Sequence, residues 1–522
     1  MRKMSDAREL PGNVLYITVD QWRGDCLGVA GHPVVKTPNL DRLAAEGVLF
    51  RRHYAQAAPC GPSRASLHTG TYLMNHRSVL NGTPLDARFT NVALEARAIG
   101  YDPVLFGYTD ASPDPRVMAP DDPRLRTYEG VLPGFRAVLD LPEHLAPWGA
   151  WLRERGYDVP DDVREMYEPI SDAPGAPVAY KAEHTEAAFL TEELLGYVDE
   201  QQGAPWFVHA AYIRPHPPFV APAPYHEMYD PESVPAPLRH ATFEAEGAVH
   251  PLLAGAVLIP GLRGPDDEAE LRQLRATYYG MMTEVDDQIG RLVEGLRARD
   301  AWDNTFVVLT SDHGEQLGDH WLTEKLGWFD QSYHVPLIVR DPRRESDATR
   351  GRVIEDRFTE NVDVMPTILE WIGVDAPVQC DGASLIDVLH GESPTDWRTA
   401  VHWEWDFRDP TGRLTQEMFG IGIDECSLAV LRDERGKYVH FAGMPPLFYD
   451  LERDPGELVN RADDPDYGAT VLDYAQRLLS FRMRNAERTL TGALVTPQGV
   501  IEARRQGRRR VLRRPVALPK VS

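Results

Sequence analysis

Only four of the 522 residues are cysteine, and Cys26, Cys60, Cys380 and Cys426 are too scattered to suggest a zinc-ligand spacing or a disulfide framework. No apolar run approaches the roughly 20 residues that a membrane-spanning helix needs, and mean hydropathy is -0.38. The opening residues, MRKMSDARELPG, lead into an apolar strand without the hydrophobic core of a signal peptide. These absences predict a soluble, cytoplasmic protein with reduced thiols and no membrane role. Positive charge is scarce as well: 55 basic residues face 80 acidic ones, for a net charge of -25. The main body is therefore a poor partner for nucleic acid, whose phosphates need clustered cations.

What positive charge exists gathers at one end. The stretch RRQGRRRVLRRPVALPK, 504–520, holds seven arginines, one lysine and no acid, leaving 47 of the 55 basic residues against all 80 acids before it. A basic arm on an acidic body predicts docking against another subunit, with a solvated tail as the alternative.

At this length, with 43% apolar residues, the chain exceeds what one core usually organises, so a large and a smaller domain are expected. Three continuous apolar runs, NVLYITV, PWFVHAAYI and TFVVLTS, read as strands buried on both faces of a parallel sheet. Helical patterns separate them. TPNLDRLAAEG has Thr37 as cap, Pro38 in the first turn and Gly47 as stop. The segment 268–300 lines up Leu271, Leu274, Tyr278, Met281, Val285, Ile289, Leu292 and Leu296 on one face. Strands alternating with amphipathic helices predict a doubly wound, mainly parallel α/β domain over residues 1–385. The shorter runs CSLAVLRD, KYVHFAG and LFYDLERDPGE predict an antiparallel subdomain over 386–490, and 491–522 forms the basic arm, expected to build a homodimer or homotetramer.

Ligands of such folds gather beyond the carboxyl ends of the strands. Asp20 with Gln21, and Asp312 with His313, stand at that position on two strands. They could surround one cation or simply cap helices. If a cation binds, the imidazole favours Mn²⁺, or another metal that accepts nitrogen, over Ca²⁺ or Mg²⁺. In APCGPSRASLHTG, Pro62 suits a first helical turn and Thr69-Gly70 its end, which puts Cys60 at a helix N-terminus. A thiol there is expected to be acidified; a small cysteine packing the helix is the plainer reading.

CGPSRASLHTG resembles the sulfatase signature, in which a separate formylglycine-generating enzyme oxidises the cysteine of C-x-P-S-R to formylglycine. NVLYITVDQWRGD, TPNLDRLAAEGVLF, TSDHGEQLGDH and LFYDLERDPGELVN resemble other segments of the sulfatase group of the alkaline phosphatase superfamily, so the likeness spans nearly the whole chain. YLMNHRSVLNGTPLD, IGYDPVLFGYTDASPDPR, YIRPHPPFVAPAPYH and DVMPTILEWIG are most similar to the branch of phosphonate monoester hydrolases and related arylsulfatases. The resemblance implies that Asp20, Gln21, Asp312, His313 and the formylglycine made from Cys60 hold one divalent metal. It further implies that Arg64 pins the formylglycine hydroxyls, that Lys325 bridges nucleophile and substrate, and that His216 protonates the leaving group. Asn81 and Tyr108 would touch the substrate. The hydrated aldehyde would attack sulfur or phosphorus with one hydroxyl; deprotonation of the other would expel the product and restore the aldehyde.

The pattern departs from common sulfatases at Gln21 and His313, where Asp and Asn are usual, and LFGYTDA replaces a Gly-Lys-Trp-His-Leu-Gly segment. Phosphonate monoester hydrolases tend to have threonine where Asp110 stands. An anionic Asp110 beside the substrate would penalise charge gathering at phosphorus, by several kcal/mol on the order of a close pair at low dielectric. Arylsulfatase is therefore expected as the main activity, with phosphonate monoester and phosphodiester hydrolysis as side reactions. Two other readings, a Cys60 thiolate hydrolase and a binding protein acting through its arm, leave the metal-like strand ends unexplained.

Overall fold

The computed structural model describes residues 10–142 and 144–502, so the basic stretch from 504 onward lies outside the described residues. The three apolar runs form β1 (Asn13–Val19), β6 (Phe207–Tyr212) and β7 (Thr305–Thr310), every residue of them buried. They are central neighbours in an eight-stranded sheet. Its order is β5 (Arg136–Asp140), β4 (Pro103–Gly107), β6, β1, β7, β8 (Leu337–Arg340), β2 (Val48–Tyr54), β9 (Arg352–Glu360). All pairings are parallel except those of β8, which runs antiparallel to both β7 and β2. Burial of both faces explains why these strands read as unbroken apolar runs.

Helices supply that cover. The Glu268–Arg297 helix starts where Asp267 accepts the Glu270 N–H, and it packs against the Pro38–Glu46 and Glu186–Glu200 helices. Seven of the eight residues expected on its inner face are buried; Leu274 is half-buried. Gly47 ends the Pro38–Glu46 helix for a reason beyond chain freedom: a Cβ there would lie 2.5 Å from the Val339 carbonyl oxygen of β8.

A second sheet holds β13 (Leu447–Asp450), β12 (Gly436–Phe441), β11 (Ser427–Arg432) and β10 (Val401–Asp406), antiparallel throughout. Its fifth strand comes from the other end of the chain. β3 (Ala57–Ala58) pairs parallel to β10, with Ala57 opposite Glu404 and Ala58 opposite Trp405. Trp403, Val430, Val439 and Tyr449 of this sheet share a core with Trp328, Phe329 and Tyr333 from the larger unit. The Gly468–Asn485 helix covers it through Tyr474 and Leu478, and a hairpin of β14 (Ala493–Thr496) and β15 (Gly499–Glu502) follows. All four cysteines are free and buried. Among the described residues no helix is long and apolar enough to cross a membrane.

Glu284, on the inner face of the long helix, accepts a 2.6 Å hydrogen bond from the Thr185 hydroxyl. Burial, reinforced by the Glu186 carboxylate, pushes its carboxyl up to about 8. Folded Glu284 thus keeps its proton to about pH 8, while the unfolded chain releases it near the ordinary value of 4.5. Raising the pH through that window weakens the fold. Glu284→Gln, which preserves the acceptor, is expected to raise the melting temperature above wild type at about pH 9 and to change it little at about pH 4, as read by thermal denaturation.

Candidate active site

The sheet order brings the chemistry together. Thr18 of β1 pairs with Thr310 of β7 and Val19 with Tyr212 of β6, so Asp20, Asp312 and the loop carrying Arg214 and His216 leave the same edge side by side. The tips are tied to one another: Asp20 N–H donates to the Tyr212 carbonyl at 2.9 Å and Trp22 N–H to the Ser311 hydroxyl at 3.0 Å. Gln21 takes a left-handed backbone (φ 66°), which costs about 1–3 kcal/mol for a non-glycine residue and turns its amide toward the site.

Against these tips lies the Cys60–Thr69 helix, buried along its whole length and ended by Gly70 in the left-handed conformation. It brings Cys60 and, one turn later on the same face, Arg64. Arg64 donates from Nε to Asp312 Oδ2 and from Nη2 to Asp20 Oδ2, both at 2.9 Å, and from Nη1 to the Tyr108 carbonyl at 3.0 Å. Its guanidinium also stacks 4.1 Å from the Tyr108 ring, whose hydroxyl donates to Asp20 Oδ2. Three of its donors are therefore committed to holding the two carboxylates and the Tyr108 backbone. Asn81 accepts the Gly61 N–H at 2.9 Å, anchoring the first turn of the helix.

Asp20, Cys60, Asp312 and His313 present ligand atoms that all lie within 4.8 Å of one another. Two further observations fit a cation. Asp20 Oδ1 is buried and makes no hydrogen bond, although its partner oxygen Oδ2 is saturated. His313 Nδ1 lies 3.1 Å from the Gly314 carbonyl, which can only accept, so Nδ1 carries a hydrogen and Nε2, 3.1 Å from Cys60 Sγ, is the nitrogen turned toward the cluster. A buried site of two carboxylates, an imidazole and a sulfur is chemically suited to a divalent ion. Burial would raise the Asp20 carboxyl, but its positive neighbours, the Arg64 guanidinium and the Lys325 ammonium among them, hold it below the carboxylate range.

Lys325 donates to Gln21 Oε1 at 2.8 Å, pairs with Glu324 at 3.2 Å, and lies 3.0 Å from His216 Nε2. The Glu324 and Asp20 carboxylates outweigh burial and keep its ammonium protonated, so His216 Nε2 is the acceptor. Burial and the Lys325 charge lower the His216 imidazole. The proximity of Gln21, Lys325 and His216 thus links three residues that are far apart in the chain.

Two expectations need correction. The Cys60 thiol is not acidified by its helix: burial pushes it well above its ordinary value, and the Asp20 carboxylate adds to the effect. Asp110 is not a free anion beside the substrate. It is buried, 3.6 Å from Arg64 Nε, and burial pushes its carboxyl up to about 8 despite that guanidinium. The repulsion argument for sulfate over phosphonate loses its premise.

Sequence reasoning missed Glu315. It is fully buried and accepts from Gln21 Nε2, which leaves Gln21 Oε1 turned toward Lys325, while its other oxygen takes the Leu317 and Glu324 N–H groups at 2.8 Å. Its place in SDHGEQ, next to the glycine after two candidate ligands, was the available signal. Ser63 was missed too; its hydroxyl donates to the Asp312 carbonyl, stitching the helix to the β7 tip.

The sulfatase family model matches residues 12–374, and a model described as N-sulphoglucosamine sulphohydrolase, C-terminal, matches residues 318–484. The chain is 49% identical to the phosphonate monoester hydrolase of Agrobacterium radiobacter, whose crystal structure superposes with a TM-score of 0.91 over 95% of this chain and 100% of that one. It is 46% identical to the multifunctional alkaline phosphatase superfamily protein PehA of Trinickia caryophylli, over 94% of this chain and 98% of PehA. It is 28% identical to an arylsulfatase of Clostridium perfringens, over 92% of this chain and 96% of that protein. With the fold and site, these likenesses define a hydrolase of the alkaline phosphatase superfamily. Within that superfamily, the chain belongs to the sulfatase family.

Adding Mn²⁺ to metal-stripped protein is expected to raise its melting temperature, since an ion at about 100 times its Kd adds about 2.7 kcal/mol of stability. In Asp312→Ala the ion should give no such rise, and the ion-free variant should melt below ion-free wild type because Arg64 loses a partner. An equal rise in both proteins would place the ion elsewhere.

Proposed function

We propose that the protein hydrolyses phosphonate monoesters and phosphodiesters as its main activity, with aryl sulfates as secondary substrates. The reading is carried by one observation: strand tips bearing Gln21 and His313 beside Cys60, in a chain that shares 49% of its residues with a phosphonate monoester hydrolase and 28% with an arylsulfatase. This reverses the ranking expected from Asp110. A protonated Asp110 beside Arg64 can donate to a non-bridging oxygen, as the threonine expected at that position would.

In this reading Cys60 is converted to formylglycine by a separate generating enzyme, and the modified residue joins Asp20, Gln21, Asp312 and His313 as the metal-binding set. A bound divalent ion, Mn²⁺ best suiting this mixed oxygen and nitrogen set, supplies Lewis acidity at the reacting oxygens. The residues of the chain do the rest. One hydroxyl of the hydrated aldehyde attacks phosphorus while Lys325 and Arg64 offset charge on the non-bridging oxygens, and Asn81, Tyr108 and Asp110 position the ester. The incoming anion raises the proton affinity of His216, which then holds a proton on Nε2 and passes it to the departing oxygen. The remaining hydroxyl gives its proton to the now neutral His216, the carbon–oxygen bond to the phosphonate breaks, phosphonate leaves and the aldehyde returns to be hydrated again. The thiol is thus the precursor of a nucleophile that can release its own ester.

A cytoplasmic location and the division at 385/386 and 490/491 remain part of this proposal, as does a homo-oligomer. The β14–β15 hairpin supports the last: a lone two-stranded hairpin is marginal in water, and Leu494, Val495, Val500 and Ile501 are all more than half exposed.

Parallel kinetics on matched aryl phosphonate and aryl sulfate esters are expected to give the larger kcat/KM for the phosphonate; the opposite order would restore the arylsulfatase reading. The Cys60 peptide should show a loss of mass and react with hydrazides, and Cys60→Ala should lose at least about 10³-fold in activity, as expected for removal of a nucleophile. Deleting 491–522 is expected to delay elution in gel filtration to that of a smaller species; an unchanged size would remove the arm from assembly.

A further inference from the structure

We infer that Arg214 is a positioning residue for His216, fixing the loop that determines which imidazole nitrogen faces the reacting oxygen. The inference rests on the reading of His216 as the leaving-group acid.

The loop leaving β6 reads RPHPPF, residues 214–219. Prolines at 215, 217 and 218 provide no N–H, which leaves the loop few backbone bonds beyond that of the His216 N–H to the Ile213 carbonyl at 3.0 Å. A side chain supplies the missing donors. Arg214 is buried at 4% exposure, and its Nη1 donates to the carbonyls of His216 at 2.9 Å and Pro218 at 2.6 Å. Between those two carbonyls sits Pro217, whose own carbonyl lies 2.9 Å from His216 Nδ1. Because a carbonyl only accepts, Nδ1 carries the hydrogen and Nε2 is left to face Lys325.

The arginine is itself held by two further partners. Its Nε donates to Glu186 Oε1 at 2.6 Å, and its guanidinium lies 4.1 Å from the centre of the Tyr167 ring. Glu186 is the first residue of its helix, after the Thr185 cap, where the helix dipole favours a carboxylate. A fixed planar fork can serve a carboxylate and two carbonyls together. A lysine at 214 presents a single ammonium and cannot reproduce that spread. Proton donation needs the ring held within hydrogen-bond reach of the departing oxygen, so loosening the loop should harm this step more than substrate binding.

The test is kcat/KM across aryl phosphonate monoesters graded by the pKa of the phenol released. Arg214→Lys should steepen the dependence on leaving group, losing on the order of 10- to 100-fold on the poorest and little on the best, within the usual span of acid catalysis. His216→Asn should steepen it at least as much, and Arg214→Lys should add no further slope in that background. A uniform loss across the series in Arg214→Lys would overturn the inference and leave a purely structural arginine. An unchanged slope in His216→Asn would instead overturn the acid assignment, and the inference with it. Should Arg214→Lys fail to fold, the neutral pair Arg214→Gln with Glu186→Gln takes the same measurement. In the intact enzyme, ¹⁵N histidine spectra, assigned with His216→Asn, should show the resting His216 protonated on Nδ1; protonation on Nε2 would overturn the inference without any arginine variant.

Discussion

A single guanidinium holds two buried carboxylates of the same charge next to each other. Asp20 and Asp312 come from different strands, and at such separations two like charges repel by about 4 kcal/mol at an effective dielectric of 20. Arg64 offsets that repulsion by donating to one oxygen of each, and it does so from the helix that begins with Cys60. One side chain therefore fixes the distance between two strand tips and the position of the helix start, Cys60, against them. Ion pairs this deeply buried return little net stability, because desolvating three charges costs about as much as their attraction yields. Their contribution is to register: the sheet edge and the helix end can meet in only one arrangement.

Around that pair the labour divides by element. Strands and helix deliver the charged groups, while irregular segments set their orientation. The left-handed turn at Gln21 aims an amide, Glu315 decides which end of the amide points inward, and the Gly314 carbonyl chooses the tautomer of His313. Each orienting contact is a carbonyl or carboxylate accepting from a group that could otherwise rotate, which is how a site on loops attains the precision of one on rigid elements. The same logic recurs at His216, where three prolines leave the loop short of backbone donors and an arginine supplies more.

The frame was legible in the sequence because burial writes long signals. β1, β6 and β7, the long helix and the antiparallel strands β11 to β13 fall where apolar runs and helical spacing put them. That Asp20 and Asp312 end adjacent strands could not be read from either strand alone, since strand order is a property of the whole sheet. Short local signals served for Cys60, Arg64 and Gly70. What stayed hidden were effects of environment. The helix N-terminus at Cys60 suggested a lowered thiol, yet burial and a neighbouring carboxylate dominate and raise it. Asp110 read as a charge, but its surroundings make it an acid that retains its proton. Glu315 and Ser63 carry ordinary residue types whose importance lies only in their partners, some of them hundreds of positions away.

The pairing of β3 with β10 has a consequence for the order in which the molecule can be made. Ala57 and Ala58, just ahead of Cys60, are clamped by a strand from the last quarter of the chain, and in the finished fold Cys60 is 5% exposed. Until residues 401–406 have been made, that pairing cannot form. If a separate enzyme converts Cys60, as proposed above, the sulfur is easier to reach before this pairing closes than after it. Slowing synthesis between the two strands would lengthen the opportunity, and a C-terminal sheet that closed early would shut it.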